Sequence, residues 1–278
     1  MIRQRKDSKS LAPLEPSSRS KVSAVPGRIQ SIERAAAILR LLSGRNRRLG
    51  VAALAGELGL PKATVHGILR TLQQVGFVEQ DTESGKYQLG AALLHMGSSY
   101  LDGNELRTRA LNWSDALAAR SNESVRIGTL HDGQILIVHH VFRPDDSRQA
   151  LEVGSLLPAH ATAIGKMLLA SSDYAFEEAA SAALRRFTEQ TVTDAEQLRE
   201  ELGEVRRRGW AAEIEELVVG EVSIAAPISD RRGAVVGAIG ISGPVERLCE
   251  SGAAKTELVS YVREAARAIS RDLGAIPW

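Results

Sequence analysis

The chain is predicted to be a multi-domain α+β protein. A winged helix-turn-helix comes first, then a linker helix, then an α/β sensor-type domain with a mainly antiparallel sheet. Three observations carry this reading. Residues 49–89, LGVAALAGELGLPKATVHGILRTLQQVGFVEQDTESGKYQL, run as a short amphipathic helix, a tight turn, a second amphipathic helix and a two-stranded wing. Further on, helices alternate with strands that come in hairpin-linked pairs. Charge is also divided: residues 1–90 hold 15 Lys and Arg against 7 Asp and Glu, and residues 91–278 hold 20 against 27. A basic first part joined to an acidic remainder suggests that only the first part faces phosphate.

Residues 1–27, with Pro13, Pro16, Pro26 and six basic side chains, read as a disordered basic arm. The DNA-binding domain is assigned to 28–90. Ile32, Ala35, Ala36, Leu39 and Leu42 recur at helical spacing, with Ser31 as N-cap and Gly44 at the end. Val51, Leu54 and Leu58 mark a short helix that Gly59 stops. Pro61 suits the entry to the next helix, which turns Val65, Ile68, Leu69 and Leu72 inward and stops at Gly76. Phe77–Gln80 and Lys86–Leu89 pair as the wing. Residues 91–104 form a linker helix, and 105–274 form the second domain, whose first helix reaches about Ser121. There, Val125–Leu130 and Ile135–Phe142 flank an Asp132-Gly133 turn. His160–Ser171 and Tyr174–Arg186 read as helices, and Thr193 with Glu196 as a capping box for Asp194–Arg208. Strands at Trp210–Ile214, Ser223–Ile228 and Val235–Ser242 precede one long helix, Leu248–Leu273.

Composition narrows the function. No apolar run is long enough to span a bilayer, and the basic N-terminus lacks a secretory apolar core, so a cytoplasmic protein without membrane contact is expected. The single cysteine, Cys249, excludes an intramolecular disulfide and a CxxC metal site. No G-x-S-x-G elbow, P-loop or HExxH motif is present, so no catalytic residue, metal or cofactor is assigned. Residues 233–243 are glycine-rich but lie in a hairpin rather than a strand-to-helix turn. His139 and His140 are adjacent on a strand and point to opposite faces, so they are read as structural.

In a helix-turn-helix the start of the second helix meets base edges, and its flanks hold phosphates. Lys62, Ala63, Thr64, His66 and Arg70 lie on the non-core face, followed by Thr71 and Gln73. Lys and Arg donate to guanine or phosphate, and Thr meets a thymine methyl or a phosphate. Lys86 of the wing, and Arg45, Arg47 and Arg48 before the motif, are candidate backbone contacts. The partner is double-stranded operator DNA. Apolar faces on the first helix and along 93–101 suit pairing between subunits, in a homodimer or tetramer that reads a pseudo-palindromic site. Burial of those faces within one chain is the alternative.

SIERAAAILRLL, LPKATVHGILRTLQ, the wing ending YQLG, LPAHATAIGKMLLA, RRRGWAAEIEELVVGEVSIAAPISD and VVGAIGISGP occur in an order that resembles the IclR family of bacterial regulators. The resemblance runs from about Ile29 to Leu273. It implies a repressor whose C-terminal domain is GAF-like and binds a small effector that alters operator affinity. Within the family, ILRTLQQVGFVEQD, SGKYQLGA and IVHHVFRPDDSRQ resemble a glycerol-responsive branch.

Carried over position by position, the family pocket falls on His160, Thr162, Ala163, Ile164, Glu213, Ser223, Gly240 and Ser242. Ala163 and Ile164 would offer backbone N–H groups at a helix N-terminus. The family often has cysteine at position 223 and serine at 240, so a keto-acid pocket is in doubt here. Hydroxyls beside a helix N-terminus suit a polyol or its phosphate, such as glycerol or glycerol 3-phosphate. Each residue also has a plainer reading: His160 bracing its helix, Glu213 pairing with an arginine, Ser223 and Ser242 as ordinary strand residues.

Overall fold

A computed structural model describes residues 29–44, 48–145 and 149–276. The basic arm assigned to 1–27, and Arg45 and Arg47, lie outside the described residues. The chain divides between Gly103 and Asn104 into two compact units.

In the N-terminal unit, α1 (Gln30–Ser43), α2 (Val51–Leu58) and α3 (Lys62–Gln74) pack with a wing made of β1 (Val78–Gln80) and β2 (Tyr87–Leu89). Helix α4 (Ala91–Asp102) follows. The core is Ile38, Leu42, Leu54, Ala55, Val65, Leu69, Leu72, Val78 and Tyr87. On α1 and α3 these positions recur three and four apart, which is the spacing that makes one apolar stripe. The inward face of α1 centres on Ile38, which is fully buried, whereas Ile32 is 63% exposed. Ser31 lies inside the first turn rather than capping it: Ile29 is the N-cap and supplies no side-chain bond. Gly59 ends α2 in the left-handed conformation (φ 63°), where a Cβ would be strained. Pro61 is the N-cap of α3, where its missing N–H costs nothing.

The C-terminal unit is a six-stranded antiparallel sheet between helical layers. Its strands are β3 (Ser124–His131), β4 (Gln134–Val141), β5 (Leu156–Pro158), β6 (Ala211–Ile214), β7 (Glu221–Ser229) and β8 (Val235–Pro244), in the order β5-β4-β3-β8-β7-β6. Helix α5 (Glu105–Ser121) and the C-terminal α10 (Thr256–Asp272) pack together and against β3, β7 and β8. Helix α6 (Ala163–Ala170) lies on β7 and β8, backed by α7 (Asp173–Ser181) and α8 (Ala195–Arg208). Its apolar contacts join Ile135, Ile137, Ala225 and Ala238 of the sheet to Met167, Leu169, Phe176, Leu198 and Val205 of the helices.

The β3–β4 turn has Asp132 and Gly133 both at positive φ (47° and 71°), as the Asp-Gly signal requires. A bulge follows: Ile127 pairs with His139, but Gly128 pairs with Ile137, which leaves Val138 extra. His140 then faces Arg126 across the strands, and His139 faces Ile127.

Four local expectations need correction. Helix α6 begins at Ala163, capped by Thr162, and not at His160, because 156–158 pair with β4 as an edge strand. Helix α7 stops at Ser181, where Ala182 turns extended. The N-cap of α8 is Asp194, whose side chain accepts the Gln197 N–H; the Thr193 hydroxyl instead accepts from Arg186. The final segment is not one helix. A short α9 (Val245–Leu248) and a hairpin of β9 (Cys249–Glu250) and β10 (Ala253–Ala254) precede α10, because Ser251 and Gly252 turn at positive φ.

Candidate functional site

On α3, Lys62, Ala63, His66 and Arg70 are exposed and Thr64 is half-buried, while Val65, Leu69 and Leu72 hold the other side in the core. Lys62, His66 and Arg70 are four apart, so they align along one outward stripe. Gly67 stands on the same surface with no atom within 4 Å of where a Cβ would be. The wing is stiffened by its turn: Asp81 accepts from the Ser84 N–H (2.7 Å) and hydroxyl (2.8 Å), and Gly85 takes positive φ. Those Ser84 bonds, the backbone one foremost, hold the Asp81 carboxyl below its ordinary value. Arg48 spans from the preceding loop to Asp81 (3.0 Å) and Gln88 (2.9 Å), so it ties the loop to the wing. Leu49 adds a bridge to Tyr87. Lys86 stays exposed at the wing tip. Lys62, Arg70 and Lys86 thus place exposed positive charge on α3 and the wing, the charge that phosphate attracts.

In the C-terminal unit, register places Glu213 opposite Ser223, Ser223 opposite Ser242, and Ser242 opposite Ser124. Cross-strand partners share a face, so four strands contribute one polar row. The Ser223 hydroxyl donates to Glu213 at 2.7 Å, and its oxygen accepts the Ala163 N–H at 3.2 Å, so the first donor of α6 meets the sheet there. The other Glu213 oxygen accepts the backbone N–H groups of Glu216 (2.7 Å) and Leu217 (3.1 Å). Burial, opposed by these bonds, pushes the Glu213 carboxyl up to about 7.

Thr162 closes the α6 N-terminus: its hydroxyl accepts the Gly165 N–H and donates to the Pro158 carbonyl. A Cβ on Gly165 would stand 2.1 Å from the Ala159 oxygen, so glycine is required for α6 to turn in so tightly. Gly240 is also a spacer. A Cβ there would meet the Ile224 carbonyl at 2.8 Å and Ile164 at 3.3 Å, so it gives Ile164 its seat on the sheet. His160 does not join the polar row. Its Nε2 pairs with the Arg185 carbonyl at 2.9 Å, its ring lies near Phe187, and burial holds its pKa below the ordinary value. The structure thus brings Thr162, Ala163, Ile164, Glu213, Ser223 and Ser242 to one face. It uses Gly240 for packing and His160 for bracing.

Four side chains around this face, Lys166, Thr188, Thr191 and Arg126, escaped the sequence reading. Lys166 is fully buried on α6, paired with Glu201 at 2.7 Å and with Glu216 more closely. Thr188 and Thr191 bind the carbonyls of Glu215 and Glu216, so the segment after β6 is fastened from two sides. A lone lysine in the apolar run AIGKMLLA is the signal that could have found it, because an unpaired charge is not tolerated there. Arg126, opposite Gly240 in the register, donates to the Ser242 hydroxyl and pairs with Glu152 (2.9 Å). Arginine within an alternating strand gives no such signal. Among the described residues there is no cluster of His, Cys, Asp and Glu able to hold a metal, and no helix long and apolar enough to cross a membrane.

A cationic winged helix joined to an α/β domain with a buried polar face defines a helix-turn-helix transcriptional regulator. The chain belongs to the IclR family: residues 31–82 match the IclR helix-turn-helix domain, and residues 98–271 match the bacterial transcriptional regulator IclR C-terminal domain. It is 59% identical over 247 residues to the glycerol operon regulatory protein of Streptomyces coelicolor, covering 89% of this chain and 97% of the relative. The protein of the same name from Streptomyces griseus is 57% identical over the same shares. Among solved structures, an IclR homolog from Microbacterium hydrocarbonoxydans complexed with 4-hydroxybenzoate superposes with a TM-score of 0.74 at 27% identity, covering 88% of this chain and 99% of that one.

Proposed function

We propose that this protein is a cytoplasmic, non-enzymatic regulator of a glycerol catabolic operon, most simply a repressor, whose operator affinity is altered by glycerol 3-phosphate or glycerol. Residues 28–90 read the operator, 91–104 link, and 105–274 bind the effector. The observation that carries the metabolite reading is the row Glu213–Ser223–Ser242–Ser124 beneath the N-terminus of α6. It offers hydroxyls and a carboxylate, the groups that recognise a polyol. The high identity to two glycerol operon regulatory proteins supports the choice of operon.

Two subunits are proposed to act together. Ile29, Ile32, Leu94, Met96 and Tyr100, on or beside α1 and α4, are each more than half exposed, an apolar surface suited to a second copy of the chain. Footprinting the region upstream of the glycerol genes tests the reading. Two protected half-sites about one helical turn apart, or a multiple, are expected, and protection should fall when glycerol 3-phosphate or glycerol is added. Protection that neither compound changes would leave the regulator and remove the glycerol effector.

A further inference from the structure

We propose that Arg126 is the anion-binding residue of the effector face, that Glu152 is its internal competitor, and that the ligand class is therefore a small polyol carrying a phosphate or similar anion. The proposal rests on the effector reading above and narrows it from polyols in general to charged ones.

The placement follows from register. Arg126 sits opposite Gly240 on β8 on one side and His140 on β4 on the other. Its guanidinium reaches along the sheet to the Ser242 hydroxyl, so it ends on the polar row that Ser223 and Glu213 continue. With no side chain at Gly240, nothing from that neighbour stands between the arginine and the row. The groups around Arg126 are Glu152, His140, Ser242 and Ser124. Burial and the nearby guanidinium push His140 down to about 4, so it adds no second charge at neutral pH.

The guanidinium donates one hydrogen bond to this carboxylate, Nη2 to Glu152 Oε1 at 2.9 Å, while Nε and Oε2 lie side by side as an ion pair with neither atom hydrogen-bonded. An unsatisfied Nε beside a bonded Nη2 leaves the guanidinium edge free to take two oxygens of a phosphate, the fork that arginine prefers. The site is not sealed, since 16% of the Arg126 side chain and 14% of the Glu152 side chain remain exposed. The lysine of α6 differs: Lys166 is wholly buried between Glu201 and Glu216 and cannot reach a ligand. Exchanging the Glu152 carboxylate for a ligand oxyanion keeps the arginine paired, and it leaves the ligand hydroxyls to Ser242, Ser223 and Glu213. A neutral polyol gains nothing from Arg126.

Calorimetric titration of the full chain with glycerol 3-phosphate and with glycerol tests this, on wild type, Arg126→Gln, Glu152→Gln and the double variant Arg126→Gln/Glu152→Gln. The double variant leaves no unpaired charge, and operator binding without ligand reports that each protein is folded. Arg126→Gln and the double variant should bind glycerol 3-phosphate at least tenfold more weakly, with glycerol affinity changed less than twofold. Glu152→Gln should bind glycerol 3-phosphate more tightly. Equal losses for both ligands, or unchanged glycerol 3-phosphate binding in a folded Arg126 variant, would assign the pair a purely structural role and overturn the proposal. A wild type that binds glycerol but not the phosphate overturns it and leaves the effector reading standing. A wild type that binds neither removes both.

Discussion

The Ser223 hydroxyl lies 2.7 Å from the Glu213 carboxylate and accepts the first N–H of α6, so one small side chain joins β6, β7 and the helix. Ser223→Ala removes the donor and the acceptor together and leaves a buried carboxylate short of a partner. The expected cost is about 1–3 kcal/mol, seen as a lower denaturation midpoint at unchanged slope. A midpoint equal to wild type would mean that water replaces the hydroxyl.

Glu213 also makes stability depend on pH. Burial raises its pKa from 4.5 to about 7 in the folded chain. Between those values the folded state holds a proton that the unfolded state has released, so stability falls as pH rises through that window, by up to about 3 kcal/mol. His140 acts in the opposite sense: pushed down to about 4, it loses stability as pH drops below 6.5. The difference in melting temperature between wild type and Glu213→Gln isolates the carboxylate. Wild type should lose ground from pH 5 to about pH 7 and level off above it, and parallel curves would contradict the assignment.

How much of this was legible beforehand varied with the kind of signal. The winged helix was read nearly to the residue, because Gly59, Pro61 and Gly76 punctuate it and Val65, Leu69 and Leu72 repeat at helical spacing. Strands β3 and β4 were visible from the Asp132-Gly133 turn. The bulge at Val138 is not legible: it buries Ile137 and Val138 in succession, but 135–138 are apolar throughout, so the sequence does not show the slip in alternation. Helix α6 reads three residues early because 160–162 hold no glycine or proline to mark the start, and the cap is Thr162 itself. Arg126 and Lys166 were missed for a shared reason: their partners Glu152, Glu201 and Glu216 are 26 to 50 residues away in sequence.

Lys166→Met should be among the most damaging substitutions in the chain. It strands Glu216 without its cation inside the fold, a change that costs about 3–5 kcal/mol. Adding Glu216→Gln to the same protein should restore much of the loss, because the buried charge is then gone. Urea unfolding of the two variants checks this, and no recovery in the double variant would place the damage in packing instead.

Gly67 offers a test in which stability and function part. It is an interior helix residue with open space around it, so Gly67→Ala should raise stability by about 1 kcal/mol. The added methyl stands on the surface shared by Ala63 and Arg70, where operator DNA is proposed to approach. A higher melting temperature with weaker operator binding is expected. Improved or unchanged binding would show that this part of α3 stays clear of the duplex.

Arg70→Ala and Lys62→Ala address the reading stripe itself. Each is expected to weaken operator binding by about 1–3 kcal/mol, and a residue that contacts phosphate should also reduce the salt slope by about 1. Polarisation titrations at several salt concentrations separate the two cases.

The two units are proposed to exchange information: a metabolite on the polar face of the sheet changes how tightly α3 holds DNA. Coupling of this kind is reciprocal. The most direct measurement is the affinity for glycerol 3-phosphate by calorimetry, with free protein and with protein saturated by operator duplex. Weaker metabolite binding on the operator complex is expected, by the same factor as the metabolite weakens operator binding. Equal affinities in the two states would contradict it.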